Sequence, residues 1–393
     1  MQLKFLRPLK NLVLKPLPEI QEKQLDTLYQ LLQNSGQSFT LTWEYILEIL
    51  EIASKQEIND QNNTVIKAAF QSLQLVCTDF MSVLPLPCLH RCIQTLGQFA
   101  MQKDDLNISL TTISMIWNVA DFVRVKRTSL LEKLISRQSS QTESADMIDA
   151  LWLALLAEVG KITADGRPEV RNGAVQSLFR VINLNGMHFK PTTWHACLWK
   201  IIFPLLENVK VGSAKSNDQG AKKDHIPIVV HHSRNTAEKQ WDETRVLAFS
   251  GAAKVFHEYF ATLMVLDGFK ASWLLLLEFF EEFALNCGQE VVVASIESLK
   301  EVLEFPKKSL GEEKLEEIME YWQDAWVVWE KVGLGASNVS KTPDLSLASV
   351  PLLILLSCLC PRSPGSIRRC FSIFSRPLSV STRSSSSSSP RKT

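Results

Sequence analysis

Three kinds of side chain in this sequence could in principle do chemistry: closely spaced thiols, adjacent imidazoles and clustered indoles. Cys88-Leu89-His90-Arg91-Cys92 places two thiols and an imidazole within five residues. A structural zinc site needs four ligands, with a second cluster about 12–20 residues further on. None follows at that spacing, so this segment reads as a helix with two buried thiols. His231-His232 also invites a metal, but adjacent histidines without further ligands read as simply exposed. A phosphate-cradling G-x-x-x-x-G-K loop and a G-x-S-x-G nucleophile turn do not occur in the sequence. Serines, histidines and acids abound, yet no spacing singles out a triad. No residue is assigned to catalysis, to a cofactor or to a metal, and an enzyme is the reading the residues support least.

The indoles suggest binding rather than turnover. Trp241, Trp273, Trp322, Trp326 and Trp329 stand near helix starts as exposed candidates. Trp322, Trp326 and Trp329 recur at i, i+4 and i+7, one face of the last regular helix. Packing against a preceding repeat is the favoured reading. The sharper reading is a partner groove where the array is cut.

What must position these groups is a repeated helix. Thr64-Val-Ile-Lys-Ala-Ala-Phe-Gln-Ser-Leu73 recurs as Glu169-Val-Arg-Asn-Gly-Ala-Val-Gln-Ser-Leu178 and as Glu290-Val-Val-Val-Ala-Ser-Ile-Glu-Ser-Leu299. Asp60, Asp165 and Asn286 open the three units. Small or apolar residues fall at i, i+4, i+5 and i+8 from Val65, Val170 and Val291, one narrow helical face. A helix with one such face cannot close a core alone; it stacks on copies of itself. The copies start 105 and 121 residues apart, which suits every second or third unit of an array whose repeats run about 40–47 residues. The fold expected is all-α, a HEAT/armadillo-type α-solenoid of stacked antiparallel helix pairs over about residues 1–335.

Helical patterns fill that span. Pro18 opens a helix that stops at Gly36. Asp165-Gly166-Arg167-Pro168 turns into the second copy, Asn185-Gly186 ends it, and Pro191 starts its partner. Asp165 and Arg171 sit where such units bond their neighbours, a stabilising role. Residues 1–144 read as N-terminal helical repeats and 145–335 as further repeats. Within the second of these stretches, a polar insertion rich in glycine, serine and lysine occupies about 209–240.

Composition sets the outer limits. Of 393 residues, 46% are hydrophobic and 21% charged, which argues against wholesale disorder. The net charge of zero is a sum of unlike parts. From Ala336 onward there are eight Lys/Arg and one Asp, leaving 34 basic and 41 acidic residues before it, so +7 stands against −7. An acidic array argues against broad nucleic-acid binding. The eight scattered cysteines fit a reducing, cytosolic setting. Lys4, Arg7, Lys10 and Lys15 break the N-terminal apolar runs, unlike a secretory signal. The apolar run Leu345–Cys360 is sixteen residues with Pro351 inside, short of the about 20 needed to span a bilayer. Residues 336–393, with six serines at Ser384–Ser389, read as a disordered basic tail, either a membrane-surface or phosphorylation segment or, preferred, sequence foreign to the array.

The stretch from Ala145 to Phe305 resembles a known family. Asp165 through Gly186, with Phe189, Trp194 and Ile202-Phe-Pro-Leu-Leu206, looks like the downstream homology region of the large Golgi Arf guanine-nucleotide exchange factors. Gln240-Trp-Asp-Glu-Thr-Arg-Val-Leu-Ala-Phe-Ser-Gly-Ala-Ala-Lys-Val-Phe256 is similar to the C-terminal half of the Mon-two family of Golgi and endosome trafficking scaffolds. The catalytic Phe-Arg-x-Pro-Gly-Glu loop of true exchange factors does not occur. The resemblance implies a non-catalytic helical-repeat scaffold in endosome–Golgi vesicle-mediated protein transport, cytoplasmic and peripheral on trans-Golgi and endosomal membranes. It implies protein partners: a Dopey-type protein, an aminophospholipid flippase and Arf-type GTPases, with no nucleic acid, no small-molecule substrate and no cofactor. A chain that starts partway through this architecture and ends in unrelated sequence predicts a truncated form. Two alternatives remain: a regulatory fragment of an Arf exchange factor, and a nuclear-transport-type cargo receptor.

Overall fold

The computed structural model describes residues 17–55, 63–103, 105–135, 141–220, 236–303 and 315–339, together with 8, 9 and 11. Asp60, His231, His232 and the tail from residue 340 lie outside the described residues. The chain divides into units Met1–Leu334 and Gly335–Thr393; the first holds the array.

Among the described residues every regular element is helical. In chain order they are α1 (Pro18–Ser35), α2 (Trp43–Ser54), α3 (Asn63–Leu75), α4 (Leu86–Met101), α5 (Leu106–Ile135), α6 (Gln141–Ile162) and α7 (Pro168–Asn185). Then come α8 (Pro191–Cys197), which runs through a π-helical turn at Leu198–Ile202 into α9 (Phe203–Gly220), α10 (Ala237–Leu263), α11 (Phe269–Asn286), α12 (Gln289–Leu303) and α13 (Leu315–Val339). Local chemistry sets several starts. Proline stands in the first turn of α1, α4, α7 and α8, where its missing N–H costs nothing, and the residue before each helix is extended. Thr236 caps α10 by accepting the Lys239 amide at 3.3 Å. Gly268, at φ 79°, makes the left-handed turn into α11.

Consecutive helices alternate between two layers. In one layer α1 packs on α3, α5 on α7, α7 on α10 and α10 on α12, with the π turn after α3 meeting α5. In the other, α2 packs on α4, α4 on α6 and α6 on α8. That layer continues through the Lys210–Glu282 ion pair at 2.6 Å between α9 and α11, and through the Trp273 indole, which donates to the Tyr321 carbonyl of α13 at 3.0 Å. The three repeated helices are α3, α7 and α12, all in the first layer. From α3 to α7 and from α7 to α12, one further first-layer helix intervenes, α5 and α10 respectively. The interval is therefore two units. The expected face is the buried one: Val65, Ala69, Phe70 and Leu73, then Val170, Ala174, Val175 and Leu178, are all in the core. In α12, Val291, Ser295 and Leu299 are buried while Ile296 is only half-buried.

A helix-to-helix corner recurs as well. After α1, Gly36–Ser38 forms a 3-10 turn leading to Phe39, whose ring lies 5.9 Å from Trp43. After α7, Gly186–His188 repeats the turn, leading to Phe189 at 5.3 Å from Trp194. Both tryptophans are fully buried, each burial stabilising by about 1.5–3 kcal/mol. Both glycines are required by close approach. A Cβ on Gly186 would sit 2.6 Å from the Trp194 ring and 2.7 Å from Tyr259, and one on Gly36 would strike Phe80.

One stretch departs from the sequence expectation, and one helix has an unusual composition. The polar insertion at about 209–240 is helical as far as Gly220, and α10 already starts at Ala237. Gly212 lies within that helix, and the Trp241 ring packs where its Cβ would be, 2.6 Å away. In α5, the stretch Leu106–Leu130 is long and apolar enough to cross a membrane by length and composition alone. Half of it is buried in the array, where α4, α6 and α7 pack around it.

Candidate protein-binding face

The middle of the array is tied together by three arginines. Arg167, just before α7, wraps onto Asp165: its amide donates to Oδ1 at 2.8 Å, its Nε to Oδ1 at 3.0 Å and its Nη2 to Oδ2 at 3.0 Å. Burial pushes the Asp165 carboxyl up, but the Arg167 hydrogen bonds and charge outweigh it and hold it below the usual range. The same guanidinium reaches back to the Ala100 and Lys103 carbonyls at 3.4 Å, at the end of α4.

Arg171 reaches forward. It is 1% exposed, and its guanidinium lies 3.8 Å over the Trp241 ring. Nε donates to Thr244 Oγ1 at 2.9 Å, Nη1 to the Asp165 carbonyl at 2.9 Å and Nη2 to the Gln240 carbonyl at 3.4 Å. Burial lowers the pKa of this guanidinium, which Asp165, Glu169 and Glu243 oppose. Thr244 completes the knot by donating to Asn172 Oδ1 at 2.6 Å. One residue on, Arg245 donates to the Val209 carbonyl of α9 at 3.1 Å and pairs with Asp242 at 2.5 Å. Arg171 thus bonds the next unit as expected, whereas the Asp165 carboxylate and carbonyl bond Arg167 and Arg171 of its own unit, and the reach back to α4 is made by Arg167.

Beside this lock the first layer presents an open trough. Its larger part, about 830 Å³, lies over α10 between α7 and α12. A smaller part of about 410 Å³ lies between α7 and α10. Gln176 and Leu247 line both, so the two are continuous. The floor is apolar, with Val246 and Leu247 half-buried, and Val293 and Leu184 exposed at 46% and 49%. Glu243, Glu290 and Glu297 rim the larger part; Arg180 and Lys254 rim the smaller one. Arg180 is held from behind by the Trp117 ring of α5 at 4.0 Å. No enclosed, pre-paired set of polar groups converges here. The chemistry available is that of recognition.

The residues singled out from sequence mostly lie elsewhere. Trp273 is fully buried, with the rings of Phe260 and Tyr321 5.6 and 6.0 Å away. Trp241 is half-buried under Arg171. Trp322 and Trp329 are buried, and only Trp326 faces outward, at 37% exposure. The expectation of five exposed indoles is therefore corrected: four of them fill gaps between units, because a large flat ring suits the space between helices that short side chains leave open. The packing reading of the Trp322–Trp329 stripe holds for its two ends. Cys92 faces Cys77 at 3.7 Å in the core, and Cys88 is buried too. His90 is half-buried beside them.

Comparison with known proteins fits this architecture. A family model described as the C-terminal region of Mon2 protein matches residues 78–317, and one described as Mon2/Sec7/BIG1-like, HDS matches residues 1–75. The match of exchange-factor type thus falls on α1–α3, while the segment from Asp165 to Gly186 falls within the Mon2 match. Protein MON2 homolog of Drosophila melanogaster is 35% identical over 360 residues, covering 88% of this chain and 21% of that protein. Protein MON2 homolog of Homo sapiens is 35% identical over 318 residues, covering 77% of this chain and 18% of that protein. Brefeldin A-inhibited guanine nucleotide-exchange protein 1 of Arabidopsis thaliana is 21% identical over 283 residues, covering 67% of this chain and 16% of that protein. This chain spans about a fifth of the length of the MON2 relatives. No solved structure matches. With more than half of its length matched by the Mon2 C-terminal model, and the arginine lock and trough both inside that match, the chain belongs to the Mon2 family.

Proposed function

We propose that this chain is a non-catalytic helical-repeat scaffold in endosome–Golgi vesicle-mediated protein transport, acting from the cytoplasmic surface of trans-Golgi and endosomal membranes. The observation that carries this reading is the Mon2 match over residues 78–317. The fold supports it, since stacked units joined by buried arginines give a stiff platform whose exposed face is free to bind. Its partners in this reading are a Dopey-type protein, an aminophospholipid flippase and Arf-type GTPases. The test is an affinity pull-down with the full chain from detergent-solubilised Golgi and endosomal membranes, read by mass spectrometry. Recovery of the Dopey-type protein or the flippase supports the reading. Recovery of neither, by a chain shown to be folded and helical, rejects it.

A second reading is regulation of nucleotide exchange on an Arf-type GTPase. The HDS-type match at residues 1–75 favours it. It predicts that adding the chain changes the exchange rate of an Arf exchange factor on its GTPase in a purified assay.

A further inference from the structure

The trough over α7, α10 and α12 carries a pattern more specific than an open apolar face. Two carboxylates, Glu243 and Glu290, stand together at one end, and Glu297 lies two turns further along α12. At the other end stand the Arg180 guanidinium and the Lys254 ammonium. Between them the floor is aliphatic, and Val293 is left 46% exposed. Like charges gathered at one end repel one another, a cost that an occupant of opposite charge removes. The two charged ends are separated along α10 by the eleven residues from Glu243 to Lys254, about 16 Å of helix.

Those dimensions and signs define an occupant. We propose that the trough is the docking site of an amphipathic helix from a partner protein, about three turns long, lying along α10. Its apolar stripe covers Leu247 and Val293, its basic end sits over Glu243 and Glu290, and a carboxylate at its other end meets Arg180 and Lys254. This is helix-in-groove recognition, in which anchors at i, i+3, i+4 and i+7 fill the floor and charges at the ends set the direction. The trough is too shallow and too apolar at its base for a small polar ligand, and its acidic end disfavours an anionic lipid surface. The proposal rests on the scaffold reading only in taking the occupant to be a protein.

The test uses the full chain and three fluorescein-labelled helical peptides of about 14 residues sharing one leucine stripe. One carries lysines at one end and glutamates at the other, one carries lysines at both ends, and one carries glutamates at both. Fluorescence anisotropy should show the mixed peptide binding tightest and the glutamate peptide weakest. Glu243→Lys/Glu290→Lys should weaken the mixed peptide by about tenfold and make the glutamate peptide the preferred ligand. Val293→Asp, at an exposed position that leaves the core intact, should weaken all three. Equal binding of the three peptides, binding by none of them, or no change of preference in the charge-reversed variant overturns the proposal. So does self-association of the chain that the same variant abolishes, because the occupant would then be a second copy. If the membrane pull-down still recovers its partners while the peptides fail, the trough is refuted and the scaffold reading stands.

Discussion

α1 and α7 are the same element built twice, with one difference that matters. Both start Pro-Glu, at Pro18-Glu19 and Pro168-Glu169, both run 18 residues, and both end at a glycine 3-10 turn followed by an aromatic corner. Their buried positions coincide: Leu25, Leu28 and Leu32 in α1 match Val175, Leu178 and Ile182 in α7. The fourth residue of each is a buried polar group, but it is Gln21 in α1 and Arg171 in α7. An amide makes a few local hydrogen bonds. A guanidinium has five N–H donors and a flat face, so it satisfies carbonyls on two units and stacks on Trp241 at once. The second corner is tighter as well, since the Tyr259 hydroxyl donates to the Asn183 carbonyl at 2.8 Å, where the first corner has Phe80. One backbone device thus carries two levels of cross-linking, the heavier one beneath the trough.

Removing the difference should cost most. Arg171→Met, which fills similar volume but leaves buried carbonyls without donors, should destabilise the full chain by about 3 kcal/mol in a denaturant titration. The matching change Gln21→Met should cost well under half of that. Adding a methyl at each corner comes next: Gly186→Ala should cost about 2–3 kcal/mol, because it meets Trp194 and Tyr259 together. Gly36→Ala meets the Phe80 ring alone and should cost less; equal losses would mean the corners are equally packed. Tyr259→Phe makes the second corner resemble the first and should lose about 1 kcal/mol. The smallest effect is electrostatic. The Asp165 carboxyl is held below its ordinary range by Arg167, so its contribution is complete above the unfolded aspartate pKa of about 3.9 and fades as the pH falls through the folded value. Asp165→Asn should therefore flatten the acid limb of a stability–pH curve and leave the relative cost of Gly36→Ala unchanged.

The comparison also shows what a reader of the sequence can see. α3, α7 and α12 announce themselves because small or apolar residues hold the i, i+4, i+5 and i+8 positions of their buried face. Glu19-Ile-Gln-Glu-Lys-Gln-Leu-Asp-Thr-Leu28 in α1 is a fourth occurrence of the pattern, hidden because Gln24, 4% exposed, occupies a position that is Ala69 or Ala174 in the others. α10 hides likewise, with Thr244 at the first buried position ahead of Ala248, Phe249 and Ala252. Periodicity methods weigh apolarity, and a buried polar residue satisfied by its neighbours escapes them. The Gly-x-x-Phe turn followed by tryptophan was a signal present in plain view at Gly36 and Gly186. The trough had no such signal. Its rim comes from solvent-facing positions of helices whose sequences are more than a hundred residues apart, from Asn172 to Glu297, and only the stacking brings them together.

The unit-by-unit stacking has a mechanical consequence. Every substantial helix contact is made within a unit or to the next one along, so a force applied at the two ends passes through the units in series. Such an assembly stretches at its softest joint first, and the joint bridged by Arg171 and Trp241 is among the stiffest. Tension would therefore open joints away from the middle while the surface over α7, α10 and α12 kept its shape, letting the array behave as a spring with a rigid grip.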